Sequence, residues 1–246
     1  MKVAVIGTGY VGLVTGVCLS GNGHDITCYD IDSDIIKNVN AGNPHFFEKG
    51  LNRRLREVLK SGHFKARNID WNSIFCNELI LICIGTPSRE GKIDLSYIET
   101  FIKDLSKNYS EQSSQISIVI KSTVVPGTTD TFVKKIIGRE SNIPLENFGL
   151  GMNPEFLREG SAVEDFENPD RIVMGYEDAK TLDRLKRLYS NFSCEKIEVN
   201  SRTAEMIKYV NNSILATQIS AVNEYSNIAR KIGNIDFGKV MNGVHL

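Results

Sequence analysis

The chain has 246 residues, of which 41% are hydrophobic and 24% charged, and its formal net charge is −1. That length suits one large domain or a domain with an appendage, and the composition is that of a soluble globular protein. The charge balance argues against a nucleic-acid or membrane surface, no apolar stretch approaches the roughly 20 residues of a membrane span, and a pattern that begins at Lys2 predicts no signal or transit peptide.

A first apolar run, Val3-Ala4-Val5-Ile6, predicts a strand, and Leu13 to Leu19 predicts a buried helix. Between them lies Gly7-Thr8-Gly9-Tyr10-Val11-Gly12. A GxGxxG turn in strand–turn–helix context is a dinucleotide-binding signal, whereas the bare pattern is weak. Gly7 allows the tight turn, Gly9 lets the backbone approach a pyrophosphate, and Gly12 lets the helix pack on the strand. Tyr10 and Val11 stand at the helix N-terminus, where free N–H groups favour phosphate. A second strand, Asp25 to Tyr29, ends in Asp30. That acid is placed to accept hydrogen bonds from the adenosine ribose, and it would repel a 2′-phosphate, so the expected cofactor is NAD rather than NADP.

Ser33 to Asn40 reads as a short helix capped by Ser33 and stopped at Ala41-Gly42-Asn43-Pro44. Leu51 to Leu59 reads as an amphipathic helix and Phe64-Lys65-Ala66 as a short strand. Leu79 to Ile84 is a continuous apolar run, as expected of a central parallel strand, and it leads into Gly85-Thr86-Pro87. A polar loop, Ser88 to Lys92, precedes a helix from Leu95 to Leu105. Ile116 to Ile120 is a strand ending in Lys121-Ser122-Thr123, and the turn Val124 to Thr128 opens a helix through about Ile137. Phe148 to Met152 is a strand running into Asn153-Pro154-Glu155-Phe156-Leu157. Arg171 to Gly175 is another strand, Ala179 to Tyr189 a helix, and Lys196 to Val199 a last strand. Ser201 to Ile232 holds no Gly or Pro and predicts one long helix, with Gly233 after it and a short helix from Phe237 to Met241.

The five cysteines (Cys18, Cys28, Cys76, Cys83, Cys194) are scattered without CxxC spacing. They predict a reducing cytoplasm, no disulfide framework and no zinc site, with Cys18, Cys28 and Cys83 in the core. His24, His45, His63 and His245 are too dispersed for a metal and read as loop residues. Alternating strands and helices predict an α/β fold with a doubly wound parallel sheet, a Rossmann-like NAD-binding domain over residues 1–200, followed by a long α-helix that opens a helical domain over 201–246. Ligands of such sheets lie beyond the carboxyl ends of the strands. The glycine turn, Asp30, Gly85-Thr86-Pro87, Ser122-Thr123 and Asn153-Pro154-Glu155 should therefore border one crevice.

Those segments, in that order, resemble the UDP-glucose/GDP-mannose dehydrogenase family. The matching stretches are Val5 to Leu13, Ile84 to Pro87, Lys121 to Val124 and Asn153-Pro154-Glu155-Phe156-Leu157-Arg158-Glu159-Gly160, continuing through Asp165-Phe166 and Pro169 to Val173. In form the chain resembles the UDP-glucose 6-dehydrogenase branch; GDP-mannose and UDP-N-acetylhexosamine 6-dehydrogenases are the alternatives. The resemblance implies NAD-dependent oxidation of a sugar C6 alcohol to a carboxylate by two hydride transfers through a cysteine thioester, in a polysaccharide-forming pathway. Thr86, Thr123 and Glu159 would be further NAD contacts. Glu155 would be the base for thioester hydrolysis, with Thr123 on the same water, and Phe156 and Leu157 would meet the nucleotide sugar. Lys208 and Asn212, four apart on the long helix, would be the cation and neutral donor that oxyanions require, and they would contact substrate. Read on its own, Glu155 is a turn cap; for the Lys208–Asn212 pair a solvated stripe is the alternative, and the register on a mostly apolar face favours function. The long helix would join two subunits of a homodimer.

The chain departs from the family pattern at two points. It lacks the glycine-rich block with the nucleophilic cysteine and the C-terminal nucleotide-sugar domain, so a truncated helical domain is expected, binding NAD without turnover. Where the family often has a basic residue beside the adenosine ribose, this chain has Ile35, leaving Lys37 as the nearby cation. A non-catalytic NAD-binding module and another β-hydroxyacid-type dehydrogenase are the remaining readings.

Overall fold

The computed structural model describes residues 1–109, 115–142 and 144–244. His245 lies outside the described residues. The chain divides into two compact units, Met1–Met206 and Ile207–Leu246.

The first unit opens with β1 (Lys2–Ile6), α1 (Tyr10–Gly21), β2 (Asp25–Asp30), α2 (Ser33–Asn40), α3 (Leu51–Ser61) and β3 (Phe64–Asn68). It continues with α4 (Trp71–Ile74), β4 (Leu79–Ile82), β5 (Ser88–Arg89), β6 (Lys92–Ile93), α5 (Ser96–Asn108), β7 (Ile116–Ile120) and α6 (Lys134–Glu140). Then come β8 (Phe148–Met152), α7 (Ala162–Glu167), β9 (Arg171–Tyr176), α8 (Ala179–Leu188) and β10 (Glu195–Asn200). Helix α9 (Ser201–Ile232) begins in this unit and runs through the second, followed by α10 (Phe237–Gly243).

One eight-stranded sheet has the order β10-β9-β8-β7-β4-β1-β2-β3. Every residue of β4, β7 and β8 is buried. These strands lie mid-sheet with both faces covered, which is why their sequences are unbroken apolar runs rather than alternations. From β3 to β8 each pairing is parallel, so the carboxyl ends of β1, β2, β4, β7 and β8 share one edge.

The sheet is not parallel throughout. Strand β9 pairs antiparallel with β8, and β10 runs parallel to β9. A parallel return needs a crossover along a face of the sheet. The connection from Asn153 to Asp170 makes none: it holds only the short α7 and comes back from the edge that it left. The whole Asn153–Gly160 block is thereby kept at the carboxyl edge.

Three local expectations are corrected. Asp32, not Ser33, caps α2, its carboxylate accepting the N–H groups of Asp34 and Ile35; Ser33 is the first helical residue and accepts from Asn68 instead. The loop after Pro87 forms the hairpin of β5 and β6. The helix after Pro126 starts as a π-helical stretch, Thr128–Val133, before α6. His24 is a loop residue as expected, between α1 and β2, and within that loop it is buried and bonds the Leu188 carbonyl at 2.9 Å.

In the second unit α9 ends at Gly233, whose φ of +76° suits glycine, and Asp236 caps α10 by accepting from the Lys239 N–H. Val210, Ile214, Leu215, Ile219, Tyr225 and Ile232 are exposed along α9.

Candidate dinucleotide site

The turn after β1 is shaped by its three glycines in different ways. Gly7 has φ +90°, and a Cβ there would stand 2.9 Å from the Cys83 carbonyl oxygen. A Cβ on Gly12 would come within 1.9 Å of the Gly7 oxygen, so only glycine lets α1 start this close to the turn. A Cβ on Gly9 would meet nothing within 4 Å. That open face is where a ligand backbone can approach.

Gly9 caps α1 with no side-chain hydrogen bond, and the first helical bond runs from the Leu13 N–H to the Gly9 carbonyl at 2.9 Å. The N–H groups between them have no helical acceptor, and with the helix dipole they suit an anion. Val11, just inside α1, packs against the core. The Asp30 carboxylate at the end of β2 accepts the Thr8 N–H at 2.6 Å and the Asp32 N–H at 3.0 Å. It thus lies against the glycine turn. An NAD molecule fits these groups: donors for its pyrophosphate, a carboxylate for its ribose, and no side chain in between.

The neighbouring strand ends are tied to one another. The Thr86 hydroxyl donates to the Thr123 carbonyl at 2.7 Å, and the Ser122 hydroxyl to that of Ile84 at 2.6 Å. Lys121, only 3% exposed, donates to Asn153 Oδ1 at 2.9 Å. Tyr189 donates to the same oxygen, and Asn153 Nδ2 donates to the Val173 carbonyl at 2.8 Å. The end of β7 and the start of the Asn153 loop therefore share a buried polar core. Glu155 accepts the Leu157 N–H at 2.6 Å, so its carboxylate shapes its own loop. Phe156 lies under the Arg171 guanidinium at 4.2 Å, Leu157 packs on the core, and Glu159 is exposed.

A second carboxylate reaches this region from the loop before α3. Glu48, 4% exposed, accepts the Tyr10 hydroxyl at 2.5 Å and the Gly160 N–H at 2.9 Å on Oε2, and the Ala162 N–H at 3.0 Å on Oε1. Burial, and then the Glu48 carboxylate, push the Tyr10 phenol well above its usual range. Glu48 and Lys121 are the members of the site that sequence reasoning left without a role. Glu48-Lys49-Gly50-Leu51 resembles a loop of the same family but reads as shaping only its own turn, and Lys121 opens a matching stretch; the partners of each lie far away in the chain.

The first unit thus brings together Gly7, Gly9, Tyr10, Gly12, Asp30, Thr86, Thr123, Glu155, Phe156, Leu157 and Glu159 along one sheet edge. Lys208 and Asn212 stand one turn apart on α9 in the second unit. Cys18, Cys28 and Cys83 are buried core thiols; burial pushes Cys18 and Cys83 up to about 12, and raises Cys28 as well. Among the described residues no cluster of His, Cys, Asp and Glu could hold a metal ion.

The NAD binding domain of the UDP-glucose/GDP-mannose dehydrogenase family matches residues 1–193, and its central domain matches residues 202–246. This chain belongs to the UDP-glucose/GDP-mannose dehydrogenase family. It is 40% identical to UDP-glucose 6-dehydrogenase YwqF of Bacillus subtilis, over 95% of this chain and 52% of that protein. Among solved structures, a ternary complex of GDP-mannose dehydrogenase from Pseudomonas aeruginosa is 35% identical with a TM-score of 0.94, over 98% of this chain and 56% of that one. A UDP-glucose dehydrogenase from Pyrobaculum islandicum is 34% identical with a TM-score of 0.93, over 100% and 56%. The chain spans about half the length of the curated relatives it matches, 52% in the first case. As a member of the dehydrogenase family it carries that family's NAD-binding domain, and NAD is its cofactor. No described helix is long and apolar enough to cross a membrane.

Proposed function

We propose that this chain is the NAD-binding part of a UDP-glucose 6-dehydrogenase, which oxidises the C6 alcohol of UDP-glucose to the carboxylate of UDP-glucuronate. The observation that carries the reading is the Asn153–Gly160 block held at the carboxyl edge beside the glycine turn. It juxtaposes a dinucleotide cradle with a loop bearing a carboxylate and an aromatic ring, the ring lying under the Arg171 guanidinium of β9. Similarity to UDP-glucose 6-dehydrogenases at 40% and 38% identity supports the sugar, while GDP-mannose 6-dehydrogenases at 35% are the competing assignment.

NAD, when bound, serves as the two-electron oxidant at C6. The chain's own residues bind, orient and move protons. The first turn of α1 holds the pyrophosphate, Asp30 the adenosine ribose, and Thr86, Thr123 and Glu159 further parts of the dinucleotide. Glu155 acts as general base toward the hydrolytic water, which Thr123 also bonds. Phe156 and Leu157 meet the nucleotide sugar. Lys208 and Asn212 are assigned as the cation and neutral donor for developing oxyanions. None of Cys18, Cys28 and Cys83 can serve as a thiolate nucleophile, because burial keeps each protonated. No stretch of these 246 residues resembles the family's glycine-rich block with the nucleophilic cysteine, so the chain alone is expected to bind NAD without sustained turnover, and to work in the cytoplasm.

Thermal shift with NAD, NADP and UDP-glucose added separately tests this reading. NAD should raise Tm clearly, NADP little because Asp30 repels the 2′-phosphate, and UDP-glucose weakly. An NADP response equal to that of NAD, or steady NADH release from UDP-glucose by this chain, would overturn the corresponding part.

A further inference from the structure

The dinucleotide turn and the Asn153–Gly160 loop are joined through a residue that belongs to neither. Glu48 comes from the loop between α2 and α3. Its two oxygens accept three hydrogen bonds, from the Tyr10 hydroxyl, the Gly160 N–H and the Ala162 N–H. Tyr10 is the first residue of α1, directly after the open Gly9. Its hydroxyl also lies 3.3 Å from the Arg158 carbonyl oxygen. Gly160 and Ala162 bracket the start of α7, where the loop ends. Three segments more than a hundred residues apart at the extremes thus meet on one carboxylate.

A buried carboxylate is a costly way to hold a fold together, since an apolar side chain of similar size would usually serve as well or better. What the carboxylate does uniquely is accept from several donors at defined positions. We propose that Glu48 is a positioning residue that transmits occupancy of the dinucleotide turn to the Asn153–Gly160 loop through the Tyr10 hydroxyl. A ligand that fixes the first turn of α1 fixes the Tyr10 ring. Tyr10 in turn holds Glu48, and Glu48 holds Gly160 and Ala162, which end the loop that carries Glu155, Phe156 and Leu157. Coupling of this kind is reciprocal, so a ligand on the loop tightens the turn as well. The raised phenol keeps its proton at neutral pH, so Tyr10 remains the donor in this chain of bonds.

This inference rests on the NAD site proposed above, and its failure can be told apart from the failure of that site. Hydrogen–deuterium exchange over residues 153–162 is measured on the 246-residue chain with and without saturating NAD, for wild type, Tyr10→Phe and Glu48→Gln. NAD affinity is measured in parallel by calorimetry. NAD should slow exchange in this segment by about fivefold in the wild type, the lower end of typical allosteric coupling, and should leave it nearly unchanged in Tyr10→Phe. Tyr10→Phe removes one hydroxyl and should fold even if Glu48→Gln does not. It should also weaken NAD a few fold, with no further loss when Glu48→Gln is added, because both changes break one path. Equal slowing in wild type and Tyr10→Phe, or no slowing in a wild type that binds NAD, would overturn the proposal. A wild type that binds no NAD would instead overturn the site.

Discussion

The glycines of the first turn do different work, and single methyl groups can separate them. At Gly9 the backbone has φ −68°, which any residue adopts, and a Cβ would enter open space. Gly9→Ala should leave unfolding stability nearly unchanged and weaken NAD at least about tenfold, because the methyl occupies the approach to the pyrophosphate. At Gly12 a Cβ would stand 1.9 Å from the Gly7 carbonyl oxygen. Backbone must move to admit it, and overpacking of this kind costs roughly 1–3 kcal/mol or more. Gly12→Ala should therefore lower Tm by several degrees before any ligand is added. Denaturation midpoints and NAD titrations of the two variants check both statements; equal behaviour of the pair would contradict this division of labour. At this scale the turn and Asp30 were legible in the sequence, because their chemistry is carried by local spacing. Glu48 was not. Its acceptor role depends on donors at Gly160 and Ala162, and no local pattern in His45 to Gly50 points to them.

Among the elements, the central strands were legible because burial on both faces removes every polar residue from them. The direction of β9 was not legible. Its apolar run would look the same in either orientation, and only the failure of the preceding loop to cross the sheet decides it. The start of α9 was legible as a helix but not as an anchor. Glu205 on its first turns is fully buried and accepts the Gly127 N–H at 2.6 Å and the Thr129 N–H at 2.8 Å. It fastens α9 to the π-helical stretch after β7, the strand that leads into Thr123. Burial raises the Glu205 carboxyl, and the two N–H bonds only partly offset that. The sign follows from linkage: the unfolded chain gives up this proton first, so stability falls as pH rises from the unfolded value through the raised folded one. Glu205→Gln removes the titration and turns one acceptor into a donor facing an N–H. It should destabilise by about 1–3 kcal/mol, with the deficit relative to wild type larger near pH 4 than at pH 7. Urea unfolding at the two pH values measures this; a deficit that grows with pH would refute the assignment.

For the whole molecule, the feature that most needs a partner is the apolar side of α9. A 32-residue helix is roughly 48 Å long. Along it Val210, Ile214, Leu215, Ile219, Tyr225 and Ile232 stand exposed. Positions 210, 214 and 225 recur at helical spacing on one stripe, which is the pattern of a packed surface rather than of scattered surface apolars. We propose that a second copy of the chain covers it. Two such helices related by a two-fold axis present the same stripe to each other, an isologous contact that closes without leaving an edge for further growth. A stable pair needs roughly 800 Å² buried per partner, which large apolar side chains over several turns can supply. Sedimentation of the 246-residue chain should show a dimer in the micromolar range. Ile214→Lys combined with Tyr225→Lys should convert it to monomer while leaving NAD binding intact, since the charges lie in the second unit and the glycine turn in the first. A wild-type chain that stays monomeric at every concentration would exclude the second copy as occupant of this face. A double variant that stays dimeric would move the contact elsewhere. If instead the variant dissociates and loses NAD together, the two units are energetically coupled, and the stripe supports the cofactor site as well as the contact between copies.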